Sequence, residues 1–523
     1  MKAISDKIIK NTFFNTVGNF STTFLYFLLL PYIMLKLGPE RFGIWALTSV
    51  IFGLFTALDF GSGSAFVKFF SEYEAKKDKL AFNQVLVTGL LMMALFSGLS
   101  VLIFALLINK LLFFFHIPEQ LFDEARFVFL GAGIFFAFNN TFGIFQAVIR
   151  GLQRMEISNS INVGGSIFYA LGIFVFLEIG YGLKGLVIAQ GIRIILINLV
   201  SLFCAKRLNK DLTFSFSFLK LEQLKTIFQY CLRMQISNIA NLANLQTDKT
   251  LISFFLNLSY VAFYEVGQKI SLFCKMLVNV LLGALVPAIS ELDSTSRQDS
   301  INKLYERGTK YLSAVAFPVN VFLLVCSSLF IRAWVGPGYD NSIMVVRLLV
   351  IGIIVNTLTG VGVMIVRGVG KPIYETRYAV ISLILNVALG IILVKPYGFT
   401  GIVMATPIST IVGSLYFISI FHKLYSISSL EFIRKIYFKP FIVSMSLAAG
   451  VYSLNKLLIP MITIESRMDY IVLLLLDGLL FFVSFVFLLN KAGFWDKEDE
   501  SLFVQKSQPY PRLHKLVSIL VSL

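Results

Sequence analysis

The chain predicts an all-α polytopic membrane protein with about 14 transmembrane helices. These are arranged as two six-helix parallel-repeat halves around a central cavity, plus two extra C-terminal helices. Three observations carry this. Of 523 residues 57% are hydrophobic and only 14% charged, outside the range of soluble globular chains. Apolar stretches long enough to cross a bilayer recur from residue 12 to residue 490. The first twelve of them fall into two copies of one pattern.

On a ruler of about 20 apolar residues per span, the first six spans lie at 12–35, 43–66, 84–109, 124–149, 159–179 and 183–205. The next six lie at 226–252, 259–286, 308–331, 343–366, 376–394 and 399–421, and the last two at 439–459 and 469–490. The expected divisions are therefore 1–210, 211–430, 431–490 and a tail at 491–523. The lysine-bearing N-terminal segment lacks a short apolar run ending in a small-residue cleavage site, so it reads as a retained first helix.

An even number of spans puts both termini on one side, and the basic residues say which. Of 45 lysines and arginines, 30 fall in the segments on the side of the termini and eight on the other, among them Lys36, Arg41, Lys110 and Lys184. By the positive-inside rule the termini and tail are cytoplasmic.

Composition and loops exclude several classes. The net charge of +16 comes without basic, aromatic-interleaved runs, so nucleic acid is not an expected partner; anionic headgroups are. Four scattered cysteines show no metal spacing, and no metal or catalytic residue is expected. VRGVGKP at 366–372 lacks the spacing and hydroxyl of a phosphate loop, and DFGSGSAF at 59–66 lacks its third glycine. Outer loops are short, which argues against a membrane glycosyltransferase or polymerase working on that face.

The repeat has a spacing near 217 residues. RGLQRMEISNSINVGGSIFYALGIFVFLEIGYGLKGLVIA starts at Arg150 and RGVGKPIYETRYAVISLILNVALGIILVKPYGFTGIVMA at Arg367, pairing Tyr181 with Tyr397, Gly185 with Gly401 and Ala189 with Ala405. A weaker match sets 35–47 beside 254–266. Six spans per copy bring both copies into the membrane in the same sense, a design that places a substrate path between the halves.

Span seven holds the sharpest polar signal. At 100° per residue Arg233, Ser237, Asn241, Asn244, Thr247 and Asp248 share one stripe, which must face protein or water rather than lipid. Span one presents a milder stripe of Asn15, Asn19, Thr22, Thr23 and Tyr26. Hydrogen-bonding glue between helices is the alternative reading of both. Arg193, mid-span six, has no acid in its own stretch. Glu265 and Lys269 stand at i, i+4, Lys275 lies deeper, and Lys249 near the outer end is placed to snorkel. Asp477 in span fourteen is a lone acid. Arg193, Arg233, Lys249, Lys269 and Lys275 outweigh Asp248 and Glu265, so the expected cavity is cationic and suits an anionic cargo, arginine being the better phosphate ligand. Asp248 or Glu265 is a candidate for coupling to H+ or Na+; no other cofactor is expected.

LGPERFGIWAL (37–47), LDFGSGSAFVKFFSEY (58–73), TDKTLISFFLNLSYVAFYEVGQKI (247–270), RGVGKP (367–372) and YGFTGIVMA (397–405) resemble bacterial polysaccharide-export flippases of the Wzx type. These are grouped with lipid II flippases and MATE multidrug exporters. The resemblance covers spans one to twelve. It implies a bundle alternating between inward- and outward-open forms in the bacterial inner membrane. The implied cargo is an undecaprenyl-pyrophosphate-linked oligosaccharide repeat unit for O-antigen, capsule or exopolysaccharide, with membrane lipids, a polysaccharide polymerase and a chain-length regulator as partners. A MATE-like exporter, which would carry acidic rather than basic cavity residues, is one alternative, and two departures from the Wzx pattern bear on a lipid II flippase as another. Fourteen spans is the lipid II flippase count, yet span one lacks that family's charged pair.

Overall fold

The computed structural model describes residues 2–58, 62–220, 222, 225, 227–228, 243–293, 298–461, 466–499 and 501. Among these residues the regular structure is entirely helical. That is what a chain of this hydropathy must do: in hydrocarbon, each backbone N–H and C=O needs a partner within its own segment.

In chain order the helices are α1 (Lys2–Leu58), α2 (Ser62–Lys76), α3 (Lys79–Phe114), α4 (Phe122–Phe142), α5 (Ile144–Gly151), α6 (Met155–Glu178) and α7 (Gly182–Leu208). Then come α8, described over 243–255, α9 (Leu258–Asp293), α10 (Gln298–Trp334), α11 (Asp340–Leu358) and α12 (Gly360–Gly368). The last are α13 (Ile373–Leu424), the short α14 (Ser429–Phe432), α15 (Phe438–Leu458) and α16 (Arg467–Lys491).

Ten stretches of the described residues are long and apolar enough to cross a membrane. Two of them hold two expected spans each: α1 breaks at Gly38 (φ 74°) and α13 at Gly398 (φ 55°, ψ −130°). Only glycine enters such backbone at little cost, so these residues place the turns between spans one and two and between eleven and twelve. Span eight is α9. Most of span seven lies outside the described residues. Spans four and ten, expected as continuous helices, are each interrupted: α4 passes into α5 at Gly143, and α11 into α12 at Thr359.

The chain forms two compact units. Unit one comprises Met1–Glu265 with Val387–Ile402; unit two comprises Val266–Asn386 with Val403–Leu523. In unit one a core of Phe66, Phe70, Phe82, Leu86, Ile149 and Ala205 joins α2, α3, α5 and α7. In unit two Tyr305, Phe417, Phe421, Phe432 and Tyr437 join α10, α13 and the turn after α14. The two extra helices pack on α10, through Val321 and Cys326 against Ala448, Val451 and Phe481. The opposite side of α16, with Leu475, Leu476, Leu479 and Val483, is exposed. Such a face is at home against acyl chains.

Candidate functional site

Arg193 is the focus of unit one. It lies midway along α7, and its guanidinium carbon sits 5.6 Å from the ring centre of Tyr26 on α1 and 5.9 Å from that of Tyr169 on α6. The two rings meet edge to face at 5.5 Å. Gly165 brings α6 and α7 close enough for this. A Cβ there would lie 2.5 Å from Ile197 and 3.7 Å from the Arg193 side chain. No carboxylate among the described residues pairs with Arg193, and its buried Nε has no hydrogen-bond partner among them. Two π faces stabilise the cation without neutralising it.

A second polar group links α1, α5 and α6 in the same unit. Asn159 Nδ2 donates to Asn15 Oδ1 at 2.8 Å. Arg150 donates to Ser158 Oγ at 3.0 Å and to Gln146 Oε1 at 3.3 Å, and Gln146 donates to Asn162 Oδ1 at 3.1 Å. Of the span-one stripe, Asn15 is thus engaged, Thr22 is half-buried and Asn19 exposed. The sequence places Tyr26 on the polar face of span one, but Asn159, Asn162, Gln146 and Tyr169 were not singled out from it. ISNSIN at 157–162 was the available signal for Asn159 and Asn162: polar residues at helical spacing just inside an apolar span.

The third group is buried. Lys249 Nζ lies 3.0 Å from Glu265 and donates to Ser49 Oγ at 2.6 Å, and Ser49 donates to Gln246 Oε1 at 3.2 Å. Tyr264 donates to the Asp248 carboxylate. Asp248, Lys249 and Glu265 are 1%, 2% and 5% exposed. The expectation that Lys249 snorkels to the interface is therefore corrected. A partner on α9 within 3.0 Å offsets its desolvation, so the ammonium has no need of water. Asn244 is half-buried on the same helix. In unit two, Lys275 donates to Asn356 Oδ1 at 2.7 Å, and Lys269 is exposed. Arg233 and Asn241 lie outside the described residues.

Asp477 is placed by the fold: it accepts from Asn455 of α15 at 2.6 Å, with the Cys326 thiol of α10 at 3.9 Å. Arg126 and Arg347 turn onto the protein, toward Asn109 (3.0 Å) and Ser327 (2.9 Å). No cluster of metal-ligating side chains occurs among the described residues.

These features define a class, a polytopic helical membrane protein with charged and polar groups sequestered between its helices. Solved structures share the fold. A lipid II flippase MurJ in an inward-closed conformation superposes with a TM-score of 0.73, at 16% identity over 90% of this chain and 97% of that one. A MATE-family multidrug resistance transporter, inward-facing, gives 0.65 at 17% identity over 79% and 94%. The family described as "Polysaccharide biosynthesis protein" matches residues 8–293, and the chain belongs to it. Its relatives include a putative O-antigen transporter of Shigella flexneri, 22% identical over 78% of this chain and 96% of that protein. Another is the probable flippase AglR of Haloferax volcanii, 22% identical over 76% and 80%.

Proposed function

We propose that this protein is a flippase that moves an undecaprenyl-pyrophosphate-linked oligosaccharide repeat unit from the cytoplasmic to the outer leaflet of a bacterial inner membrane, by alternating access and without chemistry on the cargo. The observation that carries the reading is Arg193, a mid-helix guanidinium held between two tyrosine rings with no acid paired to it among the described residues. Such a group is poised for a polyanion, and a planar fork matches two phosphate oxygens. The kinship supports it, since proteins named as an O-antigen transporter and a probable flippase align along most of this chain.

In this reading the two repeats move as halves, with 1–210 and 211–430 as the moving parts and 431–490 as an addition. Both termini face the cytoplasm. Lys269, Lys275 and Arg233 extend the cationic path, and Asn15, Asn19, Thr22, Asn241 and Asn244 meet the sugar hydroxyls. Lys249 contributes its charge only when Glu265 releases it. Asp248 and Glu265 are then the groups that exchange H+ or Na+, since a buried carboxylate that gains a proton lets go of its partner. A polymerase and a chain-length regulator would act on the delivered unit.

The test is a deletion strain. Lipid-linked repeat units should accumulate on the cytoplasmic side while surface polymer is lost, and the wild-type chain should restore polymer. Unchanged lipid-linked units and unchanged polymer would remove this cargo from consideration.

A further inference from the structure

Three of the eight basic residues on the face opposite the termini surround one hollow. It has a volume of about 570 Å3 and is walled by Lys36, Arg41, Glu124, Lys184 and the backbone at Gly180 and Gly182. The two glycines have φ of 84° and 53° and carry no side chain to fill the space. Two of the cations are partly satisfied: Lys36 pairs with Glu178 at 2.9 Å, and Arg41 gives Nε and Nη2 to Glu124 at 2.9 and 3.0 Å. That bidentate grip fixes the plane of the Arg41 guanidinium and leaves Nη1 without a partner among the described residues. Among the described residues the Lys184 ammonium meets only the face of Phe127, at 5.8 Å. The three cations and two paired acids leave one positive charge. Glu40 is exposed and outside the walls, and its charge also acts on Arg41.

The internal repeat supplies a control. In its register Lys36, Arg41 and Lys184 correspond to Phe255, Tyr260 and Thr400. Gly182 and Gly398, with φ of 53° and 55°, anchor the alignment of Lys184, and the match of 35–47 with 254–266 places the other two. At the second copy Tyr260 stacks on Phe399 at 4.7 Å, and the one basic residue there, Lys395, falls opposite Ile179. The fold of the repeat therefore does not require a cationic hollow; this copy has acquired one.

We propose that the hollow binds the phosphate of a lipid headgroup in the adjoining leaflet, with Arg41 Nη1 and Lys184 Nζ as the donors. A phosphate there takes charge-assisted contacts from two differently oriented groups at the membrane surface. Its source is either a bilayer phospholipid or a prenyl phosphate on the same side. The proposal does not depend on Arg193.

The experiment uses the full chain in nanodiscs of phosphate-free digalactosyldiacylglycerol, alone, with phosphatidylglycerol, or with farnesyl monophosphate. The readout is the acetylation rate of Lys184 by an N-hydroxysuccinimide ester, read by peptide mass spectrometry against exposed Lys110. Bound phosphate should slow Lys184 by about fivefold, the ratio a contact of ~1 kcal/mol supplies, and Arg41→Gln should abolish the slowing. Protection by phosphatidylglycerol assigns the bilayer as source, and protection by farnesyl phosphate alone assigns a prenyl phosphate. Failure of both lipids to slow Lys184, or slowing that survives intact in Arg41→Gln, overturns the proposal. Arg193→Ala should leave the protection as it is, which separates this site from the transport path.

Discussion

Gly182 and Gly398 share a positive φ, 53° and 55°, 216 residues apart, at the same place in the two copies of the repeat. Gln153 and Gly370, at φ 61° and 71°, match in the same way, and so do the interruptions at Gly143 and Thr359. Gly398 has open space around its missing Cβ and Gly182 has only Leu37 at 4.0 Å, so substitution there meets backbone strain rather than a clash. Gly182→Ala and Gly398→Ala should each lower stability by about 1 to 2 kcal/mol. Gly98, with open space and a helical backbone, is the control, and Gly98→Ala should not destabilise. Thermal unfolding of the three variants in one detergent measures this. Equal midpoints for all three would contradict the strain argument.

Arg193 can be tested by what replaces it. Lysine keeps the charge but loses the flat fork that lies against Tyr26 and Tyr169. Arg193→Lys should therefore reduce surface polymer in a complementation assay by roughly tenfold, the scale of a desolvated cation–π contact. Arg193→Ala should reduce it further, both at wild-type protein abundance. Full polymer in the lysine variant would mean that charge alone suffices and that the rings are packing.

How much of this was legible beforehand follows from what each feature depends on. Span positions depend on composition alone, so α6, α7, α15 and α16 stand within a few residues of their expected bounds. The interruptions at Gly143 and Thr359 sit inside apolar runs and change no composition, which hides them. The isolation of Arg193 from acids could be read along its own helix. Its tyrosines could not, since two rings on other helices are indistinguishable in a chain with 20 Tyr and 53 Phe. Lys249 was misplaced for the same reason: sequence gives a residue's height on a helix, whereas its fate was decided by Glu265 on the next one.

The Lys249–Glu265 pair makes a sharp stability prediction. Removing one partner breaks a 3.0 Å ion pair among residues almost without exposure, so Lys249→Met or Glu265→Leu alone should cost up to about 3 to 5 kcal/mol. The double variant should recover most of that loss, because well-packed apolar residues often replace a buried pair at little cost. If the pair serves coupling, the recovered double variant will be stable and still fail to deliver polymer. Thermal midpoints and complementation, taken on the same three proteins, separate the two roles. Additive destabilisation in the double variant would show that the two groups do not act as a pair.

Asp477 offers the clearest view of what the two extra helices do. Its carboxylate is 5% exposed and takes a hydrogen bond from Asn455, so α15 and α16 are tied to each other beside Cys326 of α10. Leucine at 477 would leave the Asn455 amide facing an apolar neighbour, which costs about 1 to 3 kcal/mol. Asparagine keeps an acceptor oxygen for the same bond. The loss should fall on the helix pair rather than on the whole chain, because the pair packs on α10 through the small apolar set of Val321, Ala448, Val451 and Phe481. Hydrogen exchange of α15 and α16 should therefore quicken in Asp477→Leu and change little in Asp477→Asn, with α6 and α7 unaffected in both. Exchange that quickens equally throughout the chain would mean that α15 and α16 unfold only with the rest.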